Sequence, residues 1–350
     1  MAHVKGSLTL TLTLALAACA LQAPPVGQSV PAAVPLVQSL PTPVVTPQSD
    51  LSGLLWVDQA FGEFWRFDLK TGAAQRVAAT GPDFPAQPAL TRNCAVQARM
   101  SGARLADGFA NRFGIVVGAT PVLSVTDDTS YQDPALAPDG RTLFVTRVRS
   151  MSANATQPGS GADILQVPLT GVGEMRVVVT DAMQPVVSPN GARLAYIGLD
   201  VSAPPTVTRQ LRVRDLAGGA EFAVLPSERF YDIFGPRWLD DSRLIFAALE
   251  QSPLPARAPA PASLVDLLFG ISIAHAHTWV GDVWIVDADG SGLRKLTPQP
   301  LQAPIPAPSP DGAWIALLAG EGVFVMNADG SGYRQISSAG GNGGIVWCVE

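Results

Sequence analysis

Charge is scarce in this sequence. Charged residues make up 15% of the 350 residues, the formal net charge is −6, and lysine occurs only at Lys5, Lys70 and Lys295. Proteins that bind nucleic acid present a concentrated basic surface, and no basic stripe runs through this chain. We therefore expect no nucleic-acid partner.

Histidine and cysteine, which serve many metal sites, number three each. His275 and His277 stand two positions apart and would share one face of a strand, but no cysteine or carboxylate follows before Asp282. A structural or solvent-facing pair is the favoured interpretation, and a two-histidine metal site is the alternative. We predict no metal site and no cofactor.

Motifs that identify catalytic sites are missing too. The sequence contains no G-x-S-x-G elbow, no P-loop and no sialidase-type aspartate box. Its few G-x-G strings lie where hairpin turns are expected rather than before helices. We predict no catalytic residues and a protein that is not an enzyme.

Glycine and proline, in contrast, are abundant, with 33 and 31 residues, which favours many short strands joined by turns. One phrase recurs, in which an apolar strand enters a proline-centred turn and leaves as a second strand. Its copies are PALAPDGRTLFVTR (134–147), PVVSPNGARLAYIG (185–198), PRWLDDSRLIFAAL (236–249) and APSPDGAWIALLA (307–319). Proline suits the fixed φ of such a turn, and glycine suits its positive φ. The third copy has Asp240-Asp241-Ser242 instead, which predicts a looser turn.

A second phrase follows the first and is clearest as VWIVDADGSGLRKLT (283–297) and VFVMNADGSGYRQIS (323–337). Apolar residues alternate in both copies, as in strands half buried between layers. Asp287 and Asp289 are spaced like the first half of a calcium loop, but no distal glutamate follows. A hairpin turn is therefore favoured over a calcium site.

Units of four strands that repeat roughly every 40 to 60 residues are typical of a β-propeller. The PDG and DADGSG phrases resemble those of the TolB-like six-bladed β-propellers, a WD-like repeat family. This family includes the periplasmic Tol-system protein and the propellers of prolyl-oligopeptidase-type enzymes. The resemblance covers nearly all of residues 51–350. It implies an all-β fold and protein partners at the cell envelope, and it is specific for architecture rather than activity.

Five complete blades and one divided blade account for this region. Residues 51–80 hold only three strands, and the chain ends in GGIVWCVE, which matches the beginning of the first phrase. A strand at 344–349 is therefore predicted to complete the blade begun at residue 51 and to close the ring without long free edges. The complete blades are predicted at 83–127, 130–182, 183–227, 234–297 and 301–338.

Two cysteines fall on neighbouring blades of such a ring. Cys94 follows the innermost strand of its blade, and Cys348 lies in the closing strand. Exported proteins can form disulfides. The two sulfurs either meet in a bridge that clamps the ring or remain two separate buried thiols, and the sequence leaves both outcomes open.

The N-terminus resembles the signal of a bacterial lipoprotein. Lys5 precedes the apolar run LTLTLTLALA, and Leu16-Ala17-Ala18-Cys19 resembles a lipobox. The resemblance implies a signal peptide at 1–18, lipidation of Cys19, and an exported protein anchored to a membrane at its periplasmic or extracellular face. An ordinary secretory signal or a short membrane helix is the alternative.

Residues 19–50 are predicted to form a proline-rich tether between the lipidated cysteine and the domain. Repeated prolines remove backbone donors and interrupt any strand or helix period in this segment. An ordered arm packed on the domain is the alternative near Val34 to Val37.

The blade at 234–297 carries an insertion, predicted at residues 251–282. Its first half is rich in proline and alanine, and its second half is more apolar than an exposed loop should be. The segment either folds back on the propeller or forms a patch that docks a partner protein or the lipid surface. The candidate patch consists of Leu264, Leu267, Leu268, Phe269 and Ile271.

Together these features predict a monomeric, lipid-anchored propeller outside the cytoplasm that binds or scaffolds an envelope protein or peptide. The rival prediction is a hydrolase or lyase with its site in the central funnel, where Asp133, Asp232 and Asp240 flank innermost strands. A third hypothesis is a sensor or assembly factor whose insertion contacts a membrane complex.

Overall fold

A computed structural model describes residues 42–59, 64–77, 87–104, 111–126, 128–149, 161–203, 206–226, 228–250, 280–341 and 343–350. Every helix or strand within these ranges is a β-strand, and the strands form six antiparallel sheets. The innermost strands of neighbouring sheets contact one another in a closed ring. The predicted all-β, six-bladed propeller is therefore confirmed.

The blades are numbered here in chain order. Blade 1 comprises β1 (Leu54–Asp58), β2 (Phe64–Asp68), β3 (Ala74–Val77) and β25 (Gly344–Cys348). Blade 2 comprises β4 (Ala89–Leu90), β5 (Gln97–Arg104), β6 (Asn111–Val117) and β7 (Thr120–Leu123). Blade 3 comprises β8 (Thr129–Leu136), β9 (Thr142–Arg149), β10 (Ala162–Pro168) and β11 (Arg176–Thr180). Blade 4 comprises β12 (Ala182–Val187), β13 (Arg193–Ala203), β14 (Thr206–Asp215) and β15 (Glu221–Ala223). Blade 5 comprises β16 (Phe230–Trp238), β17 (Arg243–Glu250), β18 (Val280–Asp287) and β19 (Arg294–Lys295), with β20 (Leu301–Gln302) paired to β18. Blade 6 comprises β21 (Ile305–Pro308), β22 (Trp314–Ala319), β23 (Gly322–Asn327) and β24 (Arg334–Ser337).

Blade 1 is closed by the C-terminal strand. β25 pairs antiparallel with β1 from Leu54 opposite Cys348 to Asp58 opposite Gly344. The blade therefore combines the first three strands of the propeller with its last one, as the matching of GGIVWCVE to the first phrase predicted. Two boundaries differ by four residues. Blade 5 begins at Phe230 rather than at residue 234. Leu301 pairs with Gly281 of blade 5, and blade 6 begins at Ile305 rather than at residue 301.

The second strands of blades 5 and 6 are buried on both faces. In β17 the five residues from Leu244 to Ala248 are all buried, and β22 is buried from Ile315 to Ala319. The half-buried alternation predicted for 283–297 and 323–337 is wrong in β18 and β23, where 283–286 and 323–326 are buried throughout because a neighbouring blade covers each face. The outermost strand β15, in contrast, is exposed along its length.

The repeated turns have the conformations that their residues favour. Gly140, Gly191 and Gly312 of the PDG-type turns have φ of 66°, 76° and 70°. The turn of blade 5 is not left loose, because the Asp240 carboxylate accepts hydrogen bonds from the backbone nitrogens of Ser242 and Arg243 at 2.8 and 2.9 Å. The Asp240 side chain thus stabilises a turn that contains no glycine.

The DADGSG phrase is a hairpin turn. Gly290 has φ of 90°, and the Asp289 carboxylate accepts hydrogen bonds from the backbone and hydroxyl of Ser291 at 2.9 and 2.7 Å. Asp329 holds Ser331 in the same way in blade 6. These aspartates fold their own turns, as the hairpin interpretation predicts.

Adjacent blades are joined by clusters of buried apolar side chains at five of their six junctions. Such clusters join blades 2 and 3, 3 and 4, 4 and 5, 5 and 6, and 6 and 1. Within the described ranges no comparable cluster joins blades 1 and 2. There the structure links Cys94, in the turn after β4, to Cys348 of β25 by a disulfide with 5.3 Å between the Cα atoms.

The end of the predicted tether belongs to the domain. Val45 is buried in the cluster between blades 6 and 1, Thr46 N donates to Ile336 O at 2.8 Å, and Gln48 N donates to Leu69 O at 2.8 Å. Arg334 binds the Asp50 carboxylate. The prediction of a tether up to residue 50 is therefore wrong for residues 42–50, because Val45 has an apolar site to fill and the non-proline positions supply donors.

The propeller has two distinct faces. Each innermost strand ends at the face that carries the PDG-type and DADGSG turns, which we name the turn face; the opposite side is named the loop face. β17 ends and β18 begins at the loop face, and β18 already includes Val280 to Asp282. The insertion therefore spans residues 251–279 rather than 251–282, and these residues lie outside the described ranges.

Candidate functional site: the central channel

The central channel is formed by the innermost strands of all six blades. An open volume of about 150 Å³ is lined by residues of β4, β8, β12, β16, β21 and β25 and of the turns that follow them. Its lining prolines are Pro88, Pro134, Pro138, Pro185, Pro189, Pro308 and Pro310. Proline has no N–H, so these innermost edges offer few backbone donors for an added strand.

A kink before a proline shapes several innermost strands. Asp133 and Gln184 have positive φ of 50° and 54°, and Gly235 has φ of 55°. The pairing register shifts at each of these places, as in a β-bulge. Bulges redirect side chains and leave backbone groups for other partners.

Polar groups at these kinks connect the blades around the channel. Asp133 N donates to Gln87 Oε1 at 3.0 Å, and Gly235 N donates to Gln184 Oε1 at 2.8 Å. Thr146 Oγ1 donates to Asp133 Oδ2 at 2.9 Å and accepts from Gln184 N at 3.0 Å. Hydrogen bonds thus run from blade 2 to blade 5, which fixes the channel wall on that side.

Arg237 is the exceptional side chain of the channel wall. It follows Pro236 in β16, and the corresponding positions of the other blades are apolar, namely Ala89, Ala135, Val186, Ala307 and Ile345. Its Nη1 donates to Pro236 O at 2.9 Å. Burial lowers the pKa of Arg237 and the charge of Asp133 opposes this change, but a guanidinium stays charged in proteins.

A second arginine stands at the turn-face end of the channel. Arg92 Nη1 donates to Pro310 O of blade 6 at 2.6 Å. Burial lowers the pKa of Arg92, and the nearby carboxylates of Asp241, Asp240 and Asp311 oppose this change. Among the described residues that line the channel, Arg92 and Arg237 carry the charge and no carboxylate is present. The two charged side chains of the lining are therefore both cationic, and carboxylates outside the lining lie near each of them.

The structure does not bring the three candidate acids of the funnel together. Burial raises the pKa of Asp133, against the opposing effects of the Thr146 hydrogen bond and Arg237. Asp232 lies near the start of β16, where Arg209 binds its carboxylate at 3.0 and 3.2 Å. Asp240 lies in the turn after the same strand, so the last two acids stand at opposite faces.

The remaining candidate residues are placed as follows. Cys94 and Cys348 are bonded to each other. Cys19, His275, His277 and the predicted patch of Leu264, Leu267, Leu268, Phe269 and Ile271 lie outside the described residues. In the part of the chain that is described, no three potential ligand side chains cluster as a metal site would require. No helix there has the length and apolarity that crossing a membrane requires.

The arginine of the channel was not identified from the sequence, although a signal for it was present. In the copies of the first phrase, the residue after the leading proline is Ala135, Val186 and Arg237 in turn. Comparing the copies position by position would have marked the arginine as exceptional. Gln87 and Gln184 carry no such signal, because their roles depend on contacts between blades.

Solved structures of other proteins share this architecture. TolB of Acinetobacter baumannii matches with a TM-score of 0.58 and 15% identity over 87% of this chain and 68% of that chain. A protein of Agrobacterium tumefaciens assigned as a TolB matches with a TM-score of 0.53 and 15% identity over 77% and 86%. A chain of a nidogen–laminin complex matches with a TM-score of 0.51 and 13% identity over 85% and 99%.

No protein-family model matches the sequence, and no curated protein matches it. At identities of 13 to 15% the likeness to solved structures concerns the fold. In fold, the chain is a six-bladed β-propeller that resembles the TolB structures.

Proposed function

We propose that this protein is a lipid-anchored binding module outside the cytoplasm whose central channel accepts an extended protein or peptide segment bearing a carboxylate. The observation that carries the proposal is the Arg237 guanidinium, which stands in an otherwise apolar ring of equivalent positions. Arg92 adds a second positive charge to the lining. Both charges favour an anionic group in the channel.

The chemistry of the wall favours recognition through side chains. Prolines at the innermost edges supply few donors to a pairing strand, so strand addition is disfavoured there. Apolar walls can cover the apolar part of a ligand, and a guanidinium can bind a carboxylate through two parallel hydrogen bonds. Shielding from water strengthens that ion pair.

The proposed location follows from the N-terminus. The apolar run after Lys5 and the lipobox-like Leu16-Ala17-Ala18-Cys19 support export and lipidation at Cys19. The segment 42–50 packs on blades 1 and 6, so the chain is fixed to the ring from residue 42 onward. The partner is accordingly a protein or peptide of the cell envelope.

Two substitutions in the channel should change ligand affinity in opposite directions. Arg237→Ala removes the guanidinium and should weaken binding of a carboxylate-bearing peptide by about 10-fold or more. Asp133→Asn removes the carboxyl group that interacts electrostatically with Arg237 and should tighten binding, while an amide oxygen can still accept from Thr146. Fluorescence anisotropy would measure both, with peptides selected on the wild-type protein from a random display library.

Matched controls make this test specific. Arg176→Ala removes an exposed arginine of the outermost strand β11 and should leave affinity unchanged. Peptides whose carboxylates are converted to amides should bind wild type as weakly as the acids bind Arg237→Ala. Equal affinity of the acidic peptides for wild type and for a folded Arg237→Ala protein would refute the role of the channel.

An enzyme with its site in the funnel is the second candidate, and Asp133 is the observation that favours it. Burial raises the pKa of this carboxyl, which is the property of a general acid in hydrolases and lyases. The same Asp133→Asn protein separates the two functions. A binding module predicts tighter peptide binding, whereas an enzyme predicts the loss of any measured turnover of peptide or glycoside substrates.

A further inference from the structure

The open volume of the central channel occupies only the half of the ring that lies toward the turn face. Its lining begins at the kinks, for example at Pro134 of β8 and Pro185 of β12, and ends in the turns that follow these strands, at Pro138 and Pro189. Among the described residues, none on the loop-face side of the kinks lines it. The volume therefore has its mouth at the turn face, where Arg92 and Pro138 are exposed, and its inner end at the kinks.

The channel is short and narrow. The residue steps from Pro134 to Pro138 span at most about 13 Å, because a strand rises about 3.3 Å per residue. The open volume of about 150 Å³ is smaller than the roughly 300–1,000 Å³ of ordinary ligand pockets. One extended chain of about four residues would span this depth, whereas a chain that enters and returns through the same mouth needs room for two. The inner end is therefore suited to the end of a chain.

Arg237 lies at the inner end of this volume. It follows the kink at Gly235, its Nη1 donates to Pro236 O at 2.9 Å, and its charge interacts with Asp133 at the kink of β8. The side chain is half-buried, its Nε and Nη2 make no hydrogen bond to any described residue, and both nitrogens remain accessible to solvent. The edge of a guanidinium that carries Nε and Nη2 can bind both oxygens of one carboxylate.

The two guanidinium groups of the lining are compensated to different extents. Arg92 at the mouth has three carboxylates near it, which belong to the turns of blades 5 and 6. Arg237 has only Asp133 as such a neighbour among the described residues. Burial raises the pKa of Asp133, so this group holds a negative charge less readily than an exposed aspartate does. The less compensated positive charge thus lies at the inner end of the channel.

The wall around Arg237 is apolar. The equivalent positions of other blades include Ala135, Val186, Ala307 and Ile345. Apolar surroundings lower the local dielectric constant and so strengthen the attraction between a guanidinium and a carboxylate. The same charge repels an N-terminal ammonium group. A chain end should therefore enter with its C-terminus first and with a small or apolar last side chain.

We infer that the channel recognises the free C-terminal α-carboxylate of a protein or peptide whose last residues are extended, and that Arg237 binds this carboxylate. The inference rests on the proposed function and specifies which carboxylate the channel accepts. An aspartate or glutamate side chain of a segment that lies across the mouth would stop near Arg92, where the neighbouring acids disfavour it.

Two random tetrapeptide libraries, attached to beads through their N-termini, test the inference on the wild-type protein. Both libraries include aspartate and glutamate, and they differ only at the last residue, which ends in a free carboxylate in one and in an amide in the other. Binders should come from the free-carboxylate library alone. Amidation of each selected peptide should weaken its binding by about 10-fold or more in a calorimetric titration. This comparison does not depend on the folding of a variant.

Variants at the two ends of the channel locate the bound carboxylate. Arg237→Ala should weaken binding of the selected peptides by about 10-fold or more. Arg237→Lys keeps the charge but loses the two parallel donors, so it should recover part of that loss. Arg92→Ala should weaken binding by no more than about 5-fold, the usual effect of an exposed ion pair.

The outcomes separate this inference from the proposed function. Amidated peptides that bind through an internal aspartate or glutamate, and that lose affinity in Arg237→Ala, would overturn the C-terminal assignment and leave the proposed function standing. Binders from neither library, or binders with equal affinity for wild type and for a folded Arg237→Ala protein, would overturn both.

Discussion

A chain that ends after Gly343 should fail to form a cooperatively folded propeller. Removing β25 deprives β1 of its partner from Leu54 to Asp58 and takes Ile345 and Trp347 out of the cluster between blades 6 and 1. The edge of β1 would then be exposed at the channel. Native domains are stable by only about 5–15 kcal/mol, so this loss should exceed the margin. Near-UV circular dichroism during a thermal scan should show no sharp transition.

A single substitution in the same strand should cause a smaller loss of stability that can be measured. Trp347 is buried, and its Nε1 donates to Ser52 O at 3.1 Å. Trp347→Ala should lower the free energy of unfolding by about 3–5 kcal/mol, the usual cost of removing a buried aromatic side chain. Val349 is 39% exposed beside it, so Val349→Ala should change stability little. A truncated chain that unfolds as cooperatively as wild type, at the same temperature, would disprove the structural role of β25.

Removing the disulfide should produce the second large effect. The bridge closes a loop across a sequence separation of 254, for which the chain-entropy model gives about 5 kcal/mol and measured losses usually fall near 2–5 kcal/mol. We expect a loss within that measured range in the Cys94→Ser, Cys348→Ala protein. Denaturant unfolding of this variant, and of wild type with and without reductant, measures it.

The blades that lose protection from hydrogen exchange show whether the disulfide stabilises one junction or the whole ring. Blades 1 and 2 lack the apolar cluster seen at the other five junctions in the described structure, so their contact should open first without the bridge. Hydrogen exchange should accelerate most in β25, β1 and β4, and least in β17 and β22, whose residues are buried on both faces. Reduced wild type should match the double variant. Uniform acceleration in all blades would contradict a local clamp.

Much of the ring could be predicted because its turns require particular residues. The PDG-type turns need proline for its fixed φ and glycine for positive φ, so Gly140, Gly191 and Gly312 mark one place in each of three blades. The closing strand was predicted at 344–349 and is found at Gly344–Cys348, because GGIVWCVE repeats the beginning of that phrase. Local conformational demands of this kind are visible in a single sequence.

Features that depend on contacts between distant residues could not be predicted. Gln87 acquires its role only when blade 3 brings Asp133 N against it. Residues 42–50 are proline-rich like the rest of the predicted tether, yet Val45 finds an apolar site between blades 6 and 1.

The divided blade also sets the order in which the protein can be made. β1 is synthesised long before its partner β25, so blade 1 stays incomplete until residues 344–348 have been made. Such distant pairing is slow to form and leaves apolar surface exposed meanwhile. The bond between Cys94 and Cys348 can form only after that last strand has arrived. Newly made chains should therefore depend on chaperones until the ring is closed and oxidised.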